Sequence, residues 1–151
     1  MTVLRDDIGI EKIQNSVISP MEDIKVAIHY GCHLLKPSAI MQVEDPLTPT
    51  ILAELISSTG AIPVNHDEYL MCCGKACKDT DLGLNMSHAV FESIVASGAD
   101  CLGLICPTCF DSFDVGQLRI SRKFDKNLQI PVLYYFQLLA LAQGADTDLV
   151  G

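Results

Sequence analysis

Five cysteines in a fixed order constrain this chain more than any other feature. Cys32 is followed, after 39 residues, by the doublet Cys72-Cys73, and after 32 more by the turn Cys106-Pro107-Thr108-Cys109. Cys77 and Cys101 bring the count to seven, an odd number that a closed set of disulfides does not use. Disulfide scaffolds belong to small secreted domains with weak cores. Here 49% of the 151 residues are hydrophobic, enough for a sizeable single-domain core. Met1 to Pro20 carries Arg5, Asp6, Asp7, Glu11 and Lys12 where a signal peptide needs an apolar run. Adjacent cysteines bridge each other only under strain, so a metal-free thiol switch on Cys72-Cys73 is a poor fit. Metal or redox chemistry is the reading that remains.

The net charge of -9 and a pI near 4.6 disfavour nucleic acid and acidic membrane surfaces as partners. No run approaches the roughly 18 uncharged apolar residues of a membrane span. A soluble cytoplasmic protein is expected, with proteins or small molecules as partners.

Apolar spacing gives the framework. Asp6 to Val17 reads as a lead-in helix within residues 1–23, and residues 24–151 as one domain. Ile24 to Tyr30 alternates as a strand that stops at Gly31-Cys32. Residues 33–48, with Pro37 and Pro46 and no sustained period, read as a long loop, a usual place for function. Ile51, Leu52, Leu55 and Ile56 mark a helix closed by Gly60. Ile62 to His66 is a short strand. A second helix, Asn85 to Ser97, presents Met86, Val90, Phe91, Ile94 and Val95 as its inward stripe before Gly98. Cys101 to Ile105 is an apolar strand, Pro107 opens a helix that buries Phe110, Phe113 and Leu118, and Ile130 to Tyr134 and Phe136 to Ala142 supply a last strand and helix. The alternation predicts an α/β fold: a small, mostly parallel sheet flanked by helices. In such a sheet the loops after the strands gather at the carboxyl edge, so all three cysteine groups are expected to meet there.

Other cysteines and histidines read more plainly. Cys101 starts a core strand and is expected to act as a small hydrophobe. Cys77 lies near the site but outside the pattern. His33 is expected beside the site or at the surface rather than as a ligand, and His88 on the solvated side of its helix. Arg119, Arg122, Lys123 and Lys126 form the one basic concentration, an ordinary solvated face or a dock for an acidic partner.

The stretch His29-Tyr30-Gly31-Cys32-His33-Leu34-Leu35-Lys36-Pro37, with Cys72-Cys73-Gly74, Gly98-Ala99-Asp100, Cys106-Pro107-Thr108-Cys109 and Ile130-Pro131-Val132-Leu133, resembles the B subunit of heterodisulfide reductase. It is the second, C-terminal CCG (cysteine-rich) domain of that B subunit that the chain resembles, from about Asp7 to Gly144. Related CCG domains occur in glycolate and lactate oxidation proteins and in unusual succinate or fumarate reductases.

The resemblance implies that Cys32, Cys72, Cys73, Cys106 and Cys109 hold a non-cubane 4Fe-4S cluster. It further implies an oxidoreductase subunit of methanogenesis that passes electrons to the CoM-S-S-CoB disulfide. The implied partners are the iron-sulfur C subunit and the flavin A subunit of the reductase and a second CCG domain, without which a single domain is expected to be inactive. Where the family tends to have a glycine-rich turn after its CCG, this chain has Lys75-Ala76-Cys77-Lys78. The competing expectation is a structural zinc module of a larger redox complex, since tetrahedral zinc needs only Cys106, Cys109 and two of the other three thiols.

Overall fold

The structure is a computed structural model and describes residues 1–150. Before the sheet come a π-helical turn, Val3–Gly9, and helix α1, Ile10–Asn15. The expected single lead-in helix is thus two pieces, separated at Gly9, whose φ of 90° no ordinary helix accepts. Ile13 is buried, and Met1, Leu4 and Ile10 pack on the same core, so the lead-in is part of the folded body.

Strand β1, Lys25–Ile28, leads to two one-turn helices, α2 (Cys32–Leu35) and α3 (Ser38–Met41), in the segment expected as open loop. The helix α4, Ile51–Ser57, and the strand β2, Ile62–Val64, complete the first crossover. After the CCG loop, α5 (Thr80–Ser97) leads to β3 (Cys101–Leu104). From Pro107 the chain is helical in three pieces: α6 (Pro107–Phe110), a π turn (Asp111–Val115) and α7 (Gln117–Phe124). Strand β4 (Val132–Tyr134) and helices α8 (Tyr135–Ala142) and α9 (Thr147–Val150) end the described chain.

The four strands run parallel in the order β2-β1-β3-β4. The central strands β1 and β3 are short and covered on both faces, which explains their near-continuous apolar sequence. Side-chain alternation divides the interior in two. Val26, Ile28, Cys101 and Leu133 face a layer with α4 and α8, where Leu52, Leu55, Ile56 and Leu138 are buried. Ala27, Leu102, Leu104 and Val132 face the other layer with Val90, Phe91 and Ile94 of α5 and Ile120 of α7. Each fully buried Leu, Ile or Phe side chain is worth about 1.5–3 kcal/mol, so the two layers fix the strand register and with it the level of the strand ends.

Two details depart from the expected helix faces. On α5 the buried residues are Gly83, Ser87, Val90, Phe91 and Ile94, while Val95 is 53% exposed. Leu118 is 65% exposed, although Phe113 is fully buried. The π turn between them closes with a bond from Gly116 N–H to the carbonyl of Asp111, five residues back. Phe113 and Ile120, seven residues apart, share the buried face, whereas Leu118, five residues past Phe113, falls about 140° around the helix from it.

Candidate metal centre

The strand order turns back between β1 and β3, and in open parallel sheets the crevice outside the carboxyl ends at such a point is where ligands sit. Cys32 follows β1 and Cys106 follows β3, one on each side of that crevice. Gly31 keeps the two loops in contact: a β-carbon there would lie 2.7 Å from Cβ and 3.2 Å from Sγ of Cys106, and 3.8 Å from Sγ of Cys109. Tyr30, just before it, is anchored twice. Its backbone N–H donates to Tyr69 O at 3.1 Å, and its hydroxyl accepts from Leu52 N–H at 2.9 Å.

The CCG loop arrives from the end of β2 and is held from below. The carbonyl of Cys73 accepts from the hydroxyls of Ser87 at 2.6 Å and Ser112 at 2.8 Å, one from α5 and one from the π turn. Both serines are buried, so these bonds tie the doublet to the two helices that frame it. Gly74 has φ 80°, and a β-carbon on it would sit 2.1 Å from the carbonyl oxygen of Gly83. A left-handed backbone in that confinement admits only glycine. Asp79 caps α5 by accepting from Asp81 N–H at 2.9 Å and Leu82 N–H at 3.0 Å, which sets where the loop must end.

All five expected cysteines come together. Cys32 lies close to Cys72, Cys73 to both Cys72 and Cys109, and Cys109 to Cys106, near enough for each to shift its neighbour's titration. Cys73 and Cys109 are buried and form the floor; Cys32, Cys72 and Cys106 are half-buried around the opening. Among the described residues, no three His, Cys, Asp or Glu side chains surround a point that would hold one metal ion. The sulfurs are therefore neighbours in a row, not a closed tetrahedron.

The row does not share its protons evenly. The adjacent Cys109 thiol, with help from Lys75 N–H, outweighs burial and brings Cys73 down to about 6. Cys109 is in turn held protonated by the adjacent Cys73 and by its burial. Burial, then the nearby Cys72, pushes Cys32 up. Cys73, at the centre of the row, is thus favoured as thiolate, the form that binds metal.

The remaining residues take the places their neighbours dictate. Cys101 is buried in β3, with its thiol raised to about 11 by burial, and stays outside the row. His33 is exposed, outside the row. His88, expected in solvent, is instead partly covered: its ring stacks on Phe124 at 3.9 Å and its side chain is 20% exposed. Of the basic residues, Lys123 pairs with Asp81 and Lys126 with Glu92. Cys77 lines a cavity of about 230 Å³ behind the CCG loop, together with Gly74, Lys75, Ser112 and Arg119. Lys75 is paired there with Asp111. Sequence patterns did not single out Ser87, Ser112, Lys75 or Asp111; the one available signal was that Ser112 lies three residues past Cys109, on the same helical face.

Comparison with known proteins agrees with this geometry. The model of the cysteine-rich domain family named CCG matches residues 26–114, more than half of the chain. The chain is 39% identical over 152 residues to the B subunit of the ferredoxin:CoB-CoM heterodisulfide reductase of Methanosarcina mazei, covering 98% of this chain and 50% of that one. It is 38% identical over 157 residues to the B subunit of the ferredoxin/F(420)H(2)-dependent CoB-CoM heterodisulfide reductase of Methanosarcina acetivorans, with the same coverage. It is also 28% identical to the 8-methylmenaquinol:fumarate reductase membrane anchor subunit of Wolinella succinogenes, over 95% of this chain and 51% of that one. The chain thus spans about half the length of these relatives, and no helix among its described residues is long and apolar enough to cross a membrane. The matched range contains Cys32, Cys72, Cys73, Cys106 and Cys109, and the chain belongs to the cysteine-rich CCG domain family.

Proposed function

We propose that Cys32, Cys72, Cys73, Cys106 and Cys109 hold an iron-sulfur cluster and that the chain is an electron-passing part of a disulfide reductase. The observation that carries this reading is the contiguous row of five thiols at the β1/β3 crevice, drawn from three separate strand-end loops. Soft thiolate donors without carboxylate or imidazole among them suit iron-sulfur clusters and zinc. Five sulfurs in a row, the outer three open to solvent, suit a polynuclear group better than one tetrahedral ion. The non-cubane 4Fe-4S type is the form we assign, from the family resemblance.

The cluster supplies one-electron chemistry when bound. The protein supplies the rest. Gly31 and Gly74 let the backbone close around the sulfurs, Ser87 and Ser112 fix the doublet, and Cys73 offers a thiolate near neutral pH. The substrate we assign is the CoM-S-S-CoB disulfide in the relatives' names. Electrons would come from an iron-sulfur protein, the C subunit of such a reductase, fed by its flavin-carrying A subunit, with a second CCG domain completing the site.

Cys73→Ser and Cys101→Ser, purified anaerobically, test the assignment. Loss of iron and acid-labile sulfide in the first and retention in the second is the expected result. Equal iron and sulfide in both would overturn it, and colourless protein with one zinc would support a structural scaffold instead.

A further inference from the structure

His29 is wholly buried, and neither of its ring nitrogens has a hydrogen-bond partner. Burial holds the ring neutral, with its second proton bound only below about pH 3, so it carries one N–H donor at any ordinary pH. A buried donor without an acceptor is unfavourable, and Phe or Leu would fill the same space without that cost. The residues around it offer nothing. His66 stacks alongside at 6.3 Å, but its Nε2–H already donates to Ile28 O at 3.0 Å and its Nδ1 accepts from the Ser93 hydroxyl at 3.0 Å. Phe113 meets the ring edge to face at 4.8 Å.

The acceptor's place follows from the strand. Alternation turns His29 to the same side as Ala27 and away from Ile28 and Tyr30. On that side Phe113 packs in one apolar group with Cys73 and Cys109. One pleat further, Gly31 is in contact with Cys106 and Cys109. The orphan donor therefore lies on the side of the sheet that carries Cys73 and Cys109, against the same Phe113 ring. We infer that His29 donates its ring N–H to a sulfur of the assembled centre, a cysteine thiolate or an inorganic sulfide, and stabilises the more negative, reduced state. This rests on the iron-sulfur reading above.

The test compares wild type, His29→Phe and His29→Gln after anaerobic purification, with iron and acid-labile sulfide measured first. Wild type without iron and sulfide would sink the cluster reading itself, separately from the role of His29. With the cluster present, the expected result is normal loading in both variants and a lower midpoint potential in His29→Phe. The loss of about one hydrogen bond corresponds to a roughly fivefold less favourable reduction. His29→Gln, which keeps an N–H, is expected to recover part of the shift. An unchanged potential in loaded His29→Phe overturns the inference, as does loss of iron from a folded variant, which would make the ring a ligand or a structural prop. Should the variants fail to fold, wild type with 15N-labelled histidine, reduced in D2O, decides: pulsed EPR is expected to show an exchangeable deuteron and a weakly coupled histidine nitrogen at the centre, and their absence overturns it.

Discussion

Replacing Gly31 by alanine isolates the contact that brings the β1 and β3 loops together. The backbone at Gly31 has φ -62° and ψ 125°, which alanine adopts freely, so the substitution acts through space alone. The new methyl would stand 2.7 Å from Cβ of Cys106, an atom fixed to its backbone. Ordinary carbon contacts begin near 3.5 Å, so the Cys106 loop must retreat by roughly 0.8 Å. Overpacking of this kind costs about 1–3 kcal/mol, and replacing glycine stiffens the unfolded chain, which returns about 0.4–1 kcal/mol. The net loss is at most about 2.5 kcal/mol, a fall in Tm of under roughly 8 °C. A metal site tolerates about 0.5 Å of misplacement, so the thiol row suffers more than the fold. Gly31→Ala is therefore expected to unfold only slightly below wild type in a thermal scan while losing most of its iron and sulfide. Gly9→Ala is the control: its φ of 90° makes alanine costly there, but nothing lies within 4 Å, so it should lose stability and keep its iron. Full iron in Gly31→Ala would refute the claim that this contact sets the spacing of the centre.

Other perturbations follow from the same geometry. Ser112→Ala leaves Ser87 on the Cys73 carbonyl and should cost about 1 kcal/mol, whereas the double change Ser87→Ala with Ser112→Ala strands that buried carbonyl and should cost about 1–3 kcal/mol more; urea unfolding of the four-member cycle reads the coupling. Gly74→Ala must push its β-carbon into Gly83 O and adopt a left-handed backbone, so it should not accumulate as folded protein, as judged by circular dichroism and soluble yield. His66 is lowered to about 4 by burial, so its folded pKa lies below the unfolded 6.5. Its contribution is complete above pH 6.5 and is lost as pH falls from there towards 4, about 3 kcal/mol in all; urea midpoints across that range should fall more steeply in wild type than in His66→Gln.

The sheet and the place of the site were legible because they depend on patterns a single strand or helix carries by itself. Ile24 to Tyr30 and Cys101 to Ile105 announced the two central strands, and strand-end logic then placed Cys32 and Cys106 at one crevice. What escaped the sequence depends on contacts between elements. The one-turn helices after Cys32 are too short to show a period. The inward face of α5 is shifted towards Ser87 because that hydroxyl holds Cys73, a partner 14 residues away that no periodicity records. The π turn at Asp111 to Val115 has a sequence that looks like ordinary helix. His88 is covered by Phe124 across two helices, and the unpartnered nitrogens of His29 become visible only when every neighbour has been placed.

The central claim, that five separated thiols act as one inorganic binding unit, is tested most directly by elemental and acid-labile sulfide analysis of the chain purified without oxygen. Brown protein with several irons and matching sulfide per chain is the predicted result. Protein that folds and keeps its thiols free, with neither iron nor sulfide after anaerobic reconstitution, would contradict it.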